Sequence, residues 1–163
     1  MGCVTHTVKH GSRSVMIWSF FSSYGAVKLV FIKGIMRKKQ YLDILKTSML
    51  ESAAMLGLAD IFILQQDNDP KHTARIVTNW LHENGIDKFP WVSQSPDLNP
   101  IENLWEMVGR RINRSAISRI SDLKSEIQKA WYSIPKEVCE NLVDSMGKRL
   151  EAVIINKGGP TKY

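Results

Sequence analysis

The sequence predicts an α/β fold, a mixed sheet with flanking helices and a helical C-terminal third. Two runs rich in β-branched and aromatic residues lie near the start, at residues 14–21 (SVMIWSFF) and 26–32 (AVKLVFI). Beyond them, segments with apolar residues at helical spacing alternate with short apolar runs. From residue 100 onward only helical patterns remain. Strands that are followed by alternating helices and strands are typical of α/β domains.

Turn and cap residues divide the chain into its predicted elements. The link at residues 22–25 is short enough to join the first two strands as a hairpin. Gly85 predicts the end of one helix, Ser121 the N-cap of another, and Pro135 a break. After the hairpin, the predicted elements are a helix at 39–56, a strand at 61–66, a helix at 73–83, a strand at 89–92, and helices at 100–113, 121–134 and 135–156.

Length and composition fit a single domain that covers residues 1–163. Of the 163 residues, 44% are apolar and 23% are charged, which are ordinary values for a globular protein. No apolar run approaches the roughly 20 residues that span a bilayer, and the start lacks the layout of a signal peptide. Two cysteines cannot form a disulfide framework. We therefore expect a soluble intracellular protein without a membrane partner.

Charge is distributed unevenly along the chain, whose net charge is +6. Residues 1–66 carry a net charge of +5, residues 67–106 carry −4, and residues 107–163 carry +5. An acidic centre between basic flanks suits a metal site within a surface that binds a polyanion, because cations neutralise phosphates along its track. Mild basicity is also common among soluble proteins, so charge supports a nucleic-acid partner without proving one.

Two residues of the acidic centre are candidate metal ligands. Asp67 follows the apolar run 61–64 and lies at the tip of a predicted strand, while Glu102 lies in the first turn of a helix that Pro100 opens. The two carboxylates are 35 positions apart in the sequence. Carboxylate oxygens are the hard ligands that Mg²⁺ prefers. Such pairs can hold two metal ions about 3.5–4 Å apart for in-line attack on phosphodiesters.

Each carboxylate also has a structural alternative. Asp67 can bond to its own backbone in a turn, and Asp69 before Pro70 is typical of a helix cap. Glu102 lies three positions after Asn99, the spacing of a capping box in which its side chain bonds to the Asn99 amide. The metal-binding and the structural interpretations both stay open at this point.

Three longer motifs resemble the catalytic domain of Tc1/mariner-type transposases. They are QQDNDPKHTA at 65–74, WVSQSPDLNPIENLWE at 91–106 and LVDSMGKRLEAVIINKGGPTKY at 142–163. The resemblance implies an RNase H-like fold and an Asp, Asp, Glu triad to which Asp67 and Glu102 contribute. It also implies Mg²⁺ or Mn²⁺ as the cofactor, transposon ends and a TA target as the DNA partner, and the nucleus as the location. A homodimer is a further option under this resemblance.

The resemblance begins partway through the family's catalytic domain. In that family, a strand with the first Asp of the triad and a helix-turn-helix region precede the segment that matches residues 7–11. Before Asp67 the only acidic residues are Asp43, Glu51 and Asp60, whose predicted positions do not suit the first ligand. We therefore expect a catalytic domain that lacks its first strand and is inactive by itself. The alternatives are a stand-alone RNase H-type nuclease and a domesticated or vestigial DNA-binding or interaction module.

Basic residues near the two carboxylates are candidate phosphate ligands. Lys71 lies in the first motif, and Arg110, Arg111 and Arg114 follow the second, with Arg110 and Arg114 one predicted helical turn apart. They can bind the DNA backbone or form a solvated helix face.

Other residues of these segments are interpreted as structural. His72 is interpreted as a local hydrogen-bonding residue near a helix start. Three tryptophans at apolar helical positions are interpreted as core rather than base-stacking residues: Trp80, Trp105 and Trp131. Part of a zinc pattern, without a fourth ligand at regular spacing, occurs near the start: Cys3, His6 and His10.

Overall fold

The computed structural model describes residues 2–10, 13–58, 62–91, 98–159 and 161–162. The strands are β1 (Gly2–His10), β2 (Arg13–Ser22), β3 (Gly25–Ala26) and β4 (Val30–Ile32). The helices are α1 (Lys38–Ile44), α2 (Leu50–Met55), α3 (Arg75–Glu83), α4 (Ile101–Arg111), α5 (Ile120–Tyr132), α6 (Lys136–Asp144) and α7 (Met146–Ile155). A π-helical turn (Leu45–Met49) joins α1 to α2, and a 3₁₀ turn (Arg114–Ala116) precedes α5. None of the described helices is both long and apolar enough to cross a membrane.

Strand β2 lies at the centre of an antiparallel sheet. Strand β1 pairs with it from Gly2 opposite Phe21 to His10 opposite Arg13. On the other side of β2, the short strands β3 and β4 pair with successive parts of the same strand. The sheet is therefore organised around one long strand that has hydrogen-bonded neighbours on both edges.

Of the two antiparallel connections of β2, the sequence predicted the hairpin to β3 and missed the pairing with β1. The predicted hairpin is confirmed, since Ser22 pairs with Gly25 and the Ser22 hydroxyl accepts the Tyr24 N–H at 3.1 Å. Strand β1 was missed. Its β-branched residues at positions 4, 5, 7 and 8 are the signal that could have predicted it.

The predicted strand at residues 26–32 is interrupted because side chains take over some of its backbone hydrogen bonds. Trp131 Nε1 donates to the Val27 carbonyl at 2.7 Å. The Leu29 N–H donates to the Tyr132 hydroxyl at 3.3 Å. Both partners lie at the end of α5, so this helix is bonded directly to the sheet in place of ladder hydrogen bonds.

Side chains of β2 alternate between two cores, because successive residues of a strand point to opposite faces. Val15, Ile17 and Phe21 belong to a core that α4, α5 and α6 complete. Trp18 and Phe20 belong to a second core with residues of α1 and α3. Each of these five side chains is at most 4% exposed. Burial on both faces explains why residues 14–21 form a nearly continuous apolar run instead of an alternating one.

Two predicted helix starts are shifted by local carboxylate and carbonyl hydrogen bonds. The helix predicted from residue 73 begins at Arg75, because the preceding residues form a turn in which the Asp69 carbonyl accepts the His72 N–H at 2.8 Å. The predicted Ser121 cap is wrong. The Asp122 carboxylate instead accepts the Arg119 N–H at 2.8 Å, so α5 begins one residue earlier, at Ile120.

The helix predicted at 135–156 is two helices, α6 and α7. At the junction the Ser145 hydroxyl donates to the Leu142 carbonyl at 2.7 Å and accepts from Arg149 Nε at 2.9 Å. A serine that bonds back to the preceding turn competes with the regular helical pattern. The continuous helical spacing of the sequence does not show this junction.

Of the two short predicted strands, 61–66 and 89–92, the described residues show a parallel bridge between Leu64 and Lys88. Leu64 donates its N–H to the Asp87 carbonyl and accepts the Phe89 N–H, both at 2.8 Å. Residues 61 and 92, at the outer ends of these predictions, lie outside the described residues. The bridge still fixes the chain immediately before Asp67.

Gly85 ends α3 as the sequence predicts. Its φ of 65° is in the left-handed region, and the Gly85 N–H donates to the His82 carbonyl at 3.1 Å. The Ile86 N–H donates to the Leu81 carbonyl at 2.9 Å, which completes the paired hydrogen bonds of a Schellman motif. Gly109, in contrast, lies inside α4, and an added Cβ there would meet nothing within 4 Å.

We expect alanine to have opposite effects at these two glycines. Gly109→Ala should raise the free energy of unfolding by about 0.5–1 kcal/mol, because alanine loses less backbone entropy in a helix. Gly85→Ala should lower it by about 1 kcal/mol or more, because a Cβ is strained at positive φ. Urea unfolding of both variants provides the measurement, and midpoints that shift in the same direction would contradict these assignments.

Candidate functional site

The segment before Asp67 is anchored by two glutamine side chains. Gln66 is 1% exposed, accepts a hydrogen bond from the Tyr41 hydroxyl, and donates to the His72 carbonyl at 3.3 Å. Gln65 Nε2 donates to the Leu98 carbonyl at 3.2 Å. Because Leu98 lies three residues before α4, this last bond ties the two sequence motifs together.

Asp67 lies at the surface end of this anchored segment. Its Oδ1 atom is 2.6 Å from His72 Nδ1 and accepts the Asp69 N–H at 3.1 Å. The hydrogen bond from His72 lowers the pKa of Asp67, against the effect of partial burial, and the Asp69 amide and the Lys71 charge lower it further. Asp67 is therefore ionised at neutral pH. The turn interpretation holds for Oδ1 and does not conflict with a ligand role for the other oxygen.

Asp69 serves the turn that follows. It accepts the Lys71 N–H at 2.9 Å and forms an ion pair with the Lys71 ammonium group. The predicted role of Asp69 as a helix cap is wrong, because α3 begins at Arg75 with Ala74 at its N-cap, and Asp69 instead accepts hydrogen bonds within the preceding turn. Lys71 already has a carboxylate partner, so binding of a phosphate there would compete with Asp69.

Glu102 lies in the first turn of α4, as the sequence predicts. The helix begins at Ile101 with Pro100 at the N-cap, so the predicted N-cap at Asn99 is wrong. Burial raises the pKa of Glu102, and the negative charge of Asp67 raises it further. The structure thus brings the two carboxylates within electrostatic reach of each other, although they are 35 positions apart.

Two carboxylates that repel each other form a donor set suited to a divalent cation, because bound positive charge offsets the repulsion. One of them is ionised and half exposed, and the other is partly buried. Within the described ranges no group of three or more His, Cys, Asp and Glu side chains is placed to hold a metal. The described part of the chain therefore offers a pair of oxygen ligands. The side chains of the partial zinc pattern, Cys3, His6 and His10, lie outside those that the structure describes.

The arginines that follow Glu102 lie at the other end of α4. Glu102 and Arg110 are about 12 Å apart along the helix axis, at 1.5 Å per residue. Arg110 forms an exposed ion pair with Glu106 at 2.7 Å, and Arg111 donates to the Ser133 carbonyl at 3.0 Å. The predicted stacking of Arg110 and Arg114 on one helix is wrong, because α4 ends at Arg111 and Arg114 lies in the 3₁₀ turn.

A shallow groove of about 760 Å³ crosses this end of α4. Arg110 and Arg114 line it together with Asn113, Ser115 and the acidic Glu106. The two arginines supply hydrogen-bond donors and positive charge, as a contact to a phosphate backbone requires, and Arg110 is already paired with Glu106. Arg111 is directed toward Ser133 instead, so its role in the structure is to join α4 to the end of α5.

The tryptophans lie in the core. Trp105 and Trp131 stack with their ring centroids 4.5 Å apart, and both are at most 3% exposed. Trp80 is partly buried and packs against the core formed with α1 and α3. The interpretation of these residues as core, not as a base-stacking surface, is confirmed.

Arg149 is a site residue that sequence reasoning missed. It lies on α7, is 3% exposed, and donates from Nη2 to Asn103 Oδ1 at 2.8 Å. Asn103 directly follows Glu102, so a buried guanidinium connects the last helix to the first turn of α4. Nothing in the local helical pattern separates this arginine from the exposed basic residues around it.

Residues 4–124 match the family of DDE superfamily endonucleases. The chain belongs to this family. It is 44% identical over 157 residues to the transposase of the transposable element Tcb1 of Caenorhabditis briggsae, and 43% identical to that of Tc1 of Caenorhabditis elegans. Each alignment covers 96% of this chain and 57% of the relative, so the chain spans little more than half of these proteins.

Solved structures establish the fold of this family member. The Mos1 transposase catalytic domain, in a structure with raltegravir and Mn, superposes with a TM-score of 0.87 at 17% identity. The match covers 98% of this chain and 83% of that domain. A Mos1 mariner paired-end complex with Mn has a TM-score of 0.84 over 95% of this chain. The predicted RNase H-like fold, with a mixed sheet and flanking helices, is confirmed.

We expect Arg149 to be a strong determinant of stability. Arg149→Lys should lower the free energy of unfolding by about 2–4 kcal/mol, since the ammonium group cannot keep the hydrogen bonds of a buried guanidinium. The exposed neighbour Lys148 provides the control, and Lys148→Gln should change stability by less than about 0.5 kcal/mol. Chemical denaturation measures both, and a double-mutant cycle with Asn103→Ala should give a coupling of about 1.5–3 kcal/mol. A coupling near zero would contradict this role.

Proposed function

We propose that this chain is catalytic-domain sequence of a DNA transposase, with Asp67 and Glu102 as metal ligands for cleavage and joining of DNA strands. The observation that carries the proposal is the approach of two carboxylates from separate motifs, close enough for Asp67 to raise the pKa of Glu102. Membership of the DDE endonuclease family and 44% identity to a transposase support the same conclusion.

The residues have separate tasks in this proposal. Asp67 and Glu102 would hold Mg²⁺ or Mn²⁺, and a metal bound there would supply activation of a nucleophile and stabilisation of the leaving oxygen. His72 and the Asp69 amide lower the pKa of Asp67, so this ligand stays charged at neutral pH and remains so further into the acidic range than an ordinary aspartate. The Gln65–Leu98 hydrogen bond and the Arg149–Asn103 hydrogen bond fix the two ligand-bearing segments relative to the fold.

The proposed partner is DNA, and transposon ends with a TA target are the proposed substrates. The basic flanks, each with a net charge of +5, and the groove beside Arg110 and Arg114 support a contact to the phosphate backbone. Mos1 structures include a paired-end complex and a strand transfer complex. A protein with this function in a eukaryotic cell acts in the nucleus. Pairing of two ends also favours a homodimer.

A non-catalytic DNA-binding or interaction module is the second candidate. The observation that favours it is the donor set, because no group of three or more metal-ligating side chains occurs within the described residues. DNA binding does not separate the catalytic domain from a DNA-binding module, whereas only the catalytic domain predicts that Asp67 and Glu102 bind a metal.

Metal binding distinguishes the two candidates. We expect Mn²⁺ to bind this chain weakly, and we expect Asp67→Asn and Glu102→Gln each to weaken binding by about tenfold or more, since either change removes an oxygen ligand's charge. Titration followed by the paramagnetic resonance signal of free Mn²⁺ measures the affinity.

The exposed carboxylates Asp43 and Glu137 provide matched controls. Asp43→Asn and Glu137→Gln make the same chemical changes away from the site and should leave the affinity unchanged. Equal affinity for the wild-type chain and both site variants would rule out the metal site and leave the non-catalytic candidate.

DNA binding should depend steeply on salt, because phosphate contacts release counterions. We expect weak binding to duplex DNA with little sequence preference. Arg114→Gln should weaken it for all sequences and reduce the slope of log K against log salt concentration by about 1. Lys28, which pairs with Glu51 at 3.0 Å, is the charge-matched control. Fluorescence anisotropy at several salt concentrations tests this, and affinity independent of salt would contradict the proposed surface.

A further inference from the structure

The buried imidazole of His72 contacts the partly exposed carboxylate of Asp67. The imidazole is 1% exposed, yet its Nδ1 atom lies 2.6 Å from Oδ1 of Asp67, whose side chain is 43% exposed. The other ring nitrogen, Nε2, is also buried, and it has no hydrogen-bond partner within the described part of the chain. A buried polar atom without a partner costs stability. The ring therefore has an energetic cost that an apolar ring would avoid, and among the described residues its one polar contact is with Asp67.

Contacts on several sides fix the orientation of this imidazole. The Tyr41 ring packs against it with the ring centroids 4.2 Å apart. The His72 carbonyl accepts from Gln66 Nε2 at 3.3 Å, and the His72 N–H donates to the Asp69 carbonyl at 2.8 Å. Tyr41 in turn donates its hydroxyl hydrogen to Gln66. A side chain held by its ring and by both backbone groups aims Nδ1 at a single position.

These contacts make the two oxygens of Asp67 unequal. Oδ1 accepts from both His72 Nδ1 and the Asp69 N–H, which uses the lone pairs of that atom. Within the described residues, no hydrogen bond to Oδ2 accompanies these two. We infer that His72 is a positioning residue that reserves Oδ1 and leaves Oδ2 as the single metal-facing oxygen of Asp67. This inference rests on the proposed metal site.

Monodentate coordination by Asp67 would affect how many positions of a bound metal ion stay open to other ligands. Mg²⁺ requires a near-octahedral set of about six ligands and is held in enzymes by one or two carboxylates, with water and substrate phosphate in the remaining positions. A carboxylate that binds through both oxygens occupies two of these positions. Because His72 holds Oδ1, a Mg²⁺ ion bound to Oδ2 would keep one more coordination position for water or phosphate.

Three substitutions separate this positioning role from a packing role. His72→Phe keeps an aromatic ring against Tyr41 and removes the donor. His72→Asn removes the ring, but its amide nitrogen can occupy the place of Nδ1. His72→Gln places its amide nitrogen near the position of Nε2, which has no partner to bond. If His72 only packs, the Mn²⁺ affinity of the phenylalanine variant should be closest to that of the wild type. If His72 positions Asp67, the Mn²⁺ affinity of the asparagine variant should be closest.

The experiment measures Mn²⁺ affinity and thermal unfolding of the metal-free chain for the wild type and the three variants. We expect the phenylalanine variant to unfold at or above the wild-type temperature and to bind Mn²⁺ about tenfold to a hundredfold more weakly, the usual effect of losing a residue that orients a ligand. The asparagine variant should lose thermal stability and keep its Mn²⁺ affinity within about threefold, and the glutamine variant should lose both.

Two results would overturn the inference. One is wild-type affinity in the phenylalanine variant, and the other is a crystal structure with Mn²⁺ in which Asp67 binds through Oδ1 or through both oxygens. Failure of the proposed function looks different, since the wild-type chain and Asp67→Asn would then have the same Mn²⁺ affinity. In that case the metal site and the inference that rests on it are both rejected.

Discussion

Burial of β2 on both of its faces is the constraint on which the rest of this structure depends. A strand that contributes Ile17 to one core and Trp18 to the other needs helices on both sides of the sheet. Those helices include α4, which carries Glu102, on one side, and α1, which carries Tyr41, on the other. The helices that carry Glu102 and Tyr41 thus pack on opposite faces of the same central strand.

The positions of the site residues are fixed mainly by hydrogen bonds of neutral side chains and less by ion pairs. Gln65 reaches the segment before α4, and Gln66 joins Tyr41 to His72 in the interior. Gln66 is buried and Gln65 is partly buried, and their amides fix the backbone and the imidazole without using the charge of Asp67. The ion pair between Lys71 and Asp69 belongs to the adjacent turn and leaves the charge of Asp67 available.

Local patterns in the sequence were sufficient where local physics decides the structure. The hairpin at residues 22–25, the end of α3 at Gly85 and the placement of Asp67 and Glu102 follow from turn chemistry, caps and motif spacing. The interruption after Ala26 could not be predicted, because it depends on Trp131, which is more than a hundred positions away. Arg149 was hidden for a related reason, because its partner Asn103 lies 46 positions away. The hydrogen bonds from His72 and Asp69 to Asp67 are local, and the predicted turn and the local role predicted for His72 agree with them.

The hydrogen bonds between α5 and the sheet place the limits of the folded unit beyond the end of the DDE endonuclease family match. The family match ends at residue 124, within α5, whereas the atoms that bond to Val27 and Leu29 belong to residues 131 and 132. Arg149, which reaches back to Asn103, lies further on still. The alignments to the Tcb1 and Tc1 transposases continue past this point and cover 96% of the chain. A boundary drawn at the end of the family match would cut through α5 and remove the side chains that bond to the sheet and to α4.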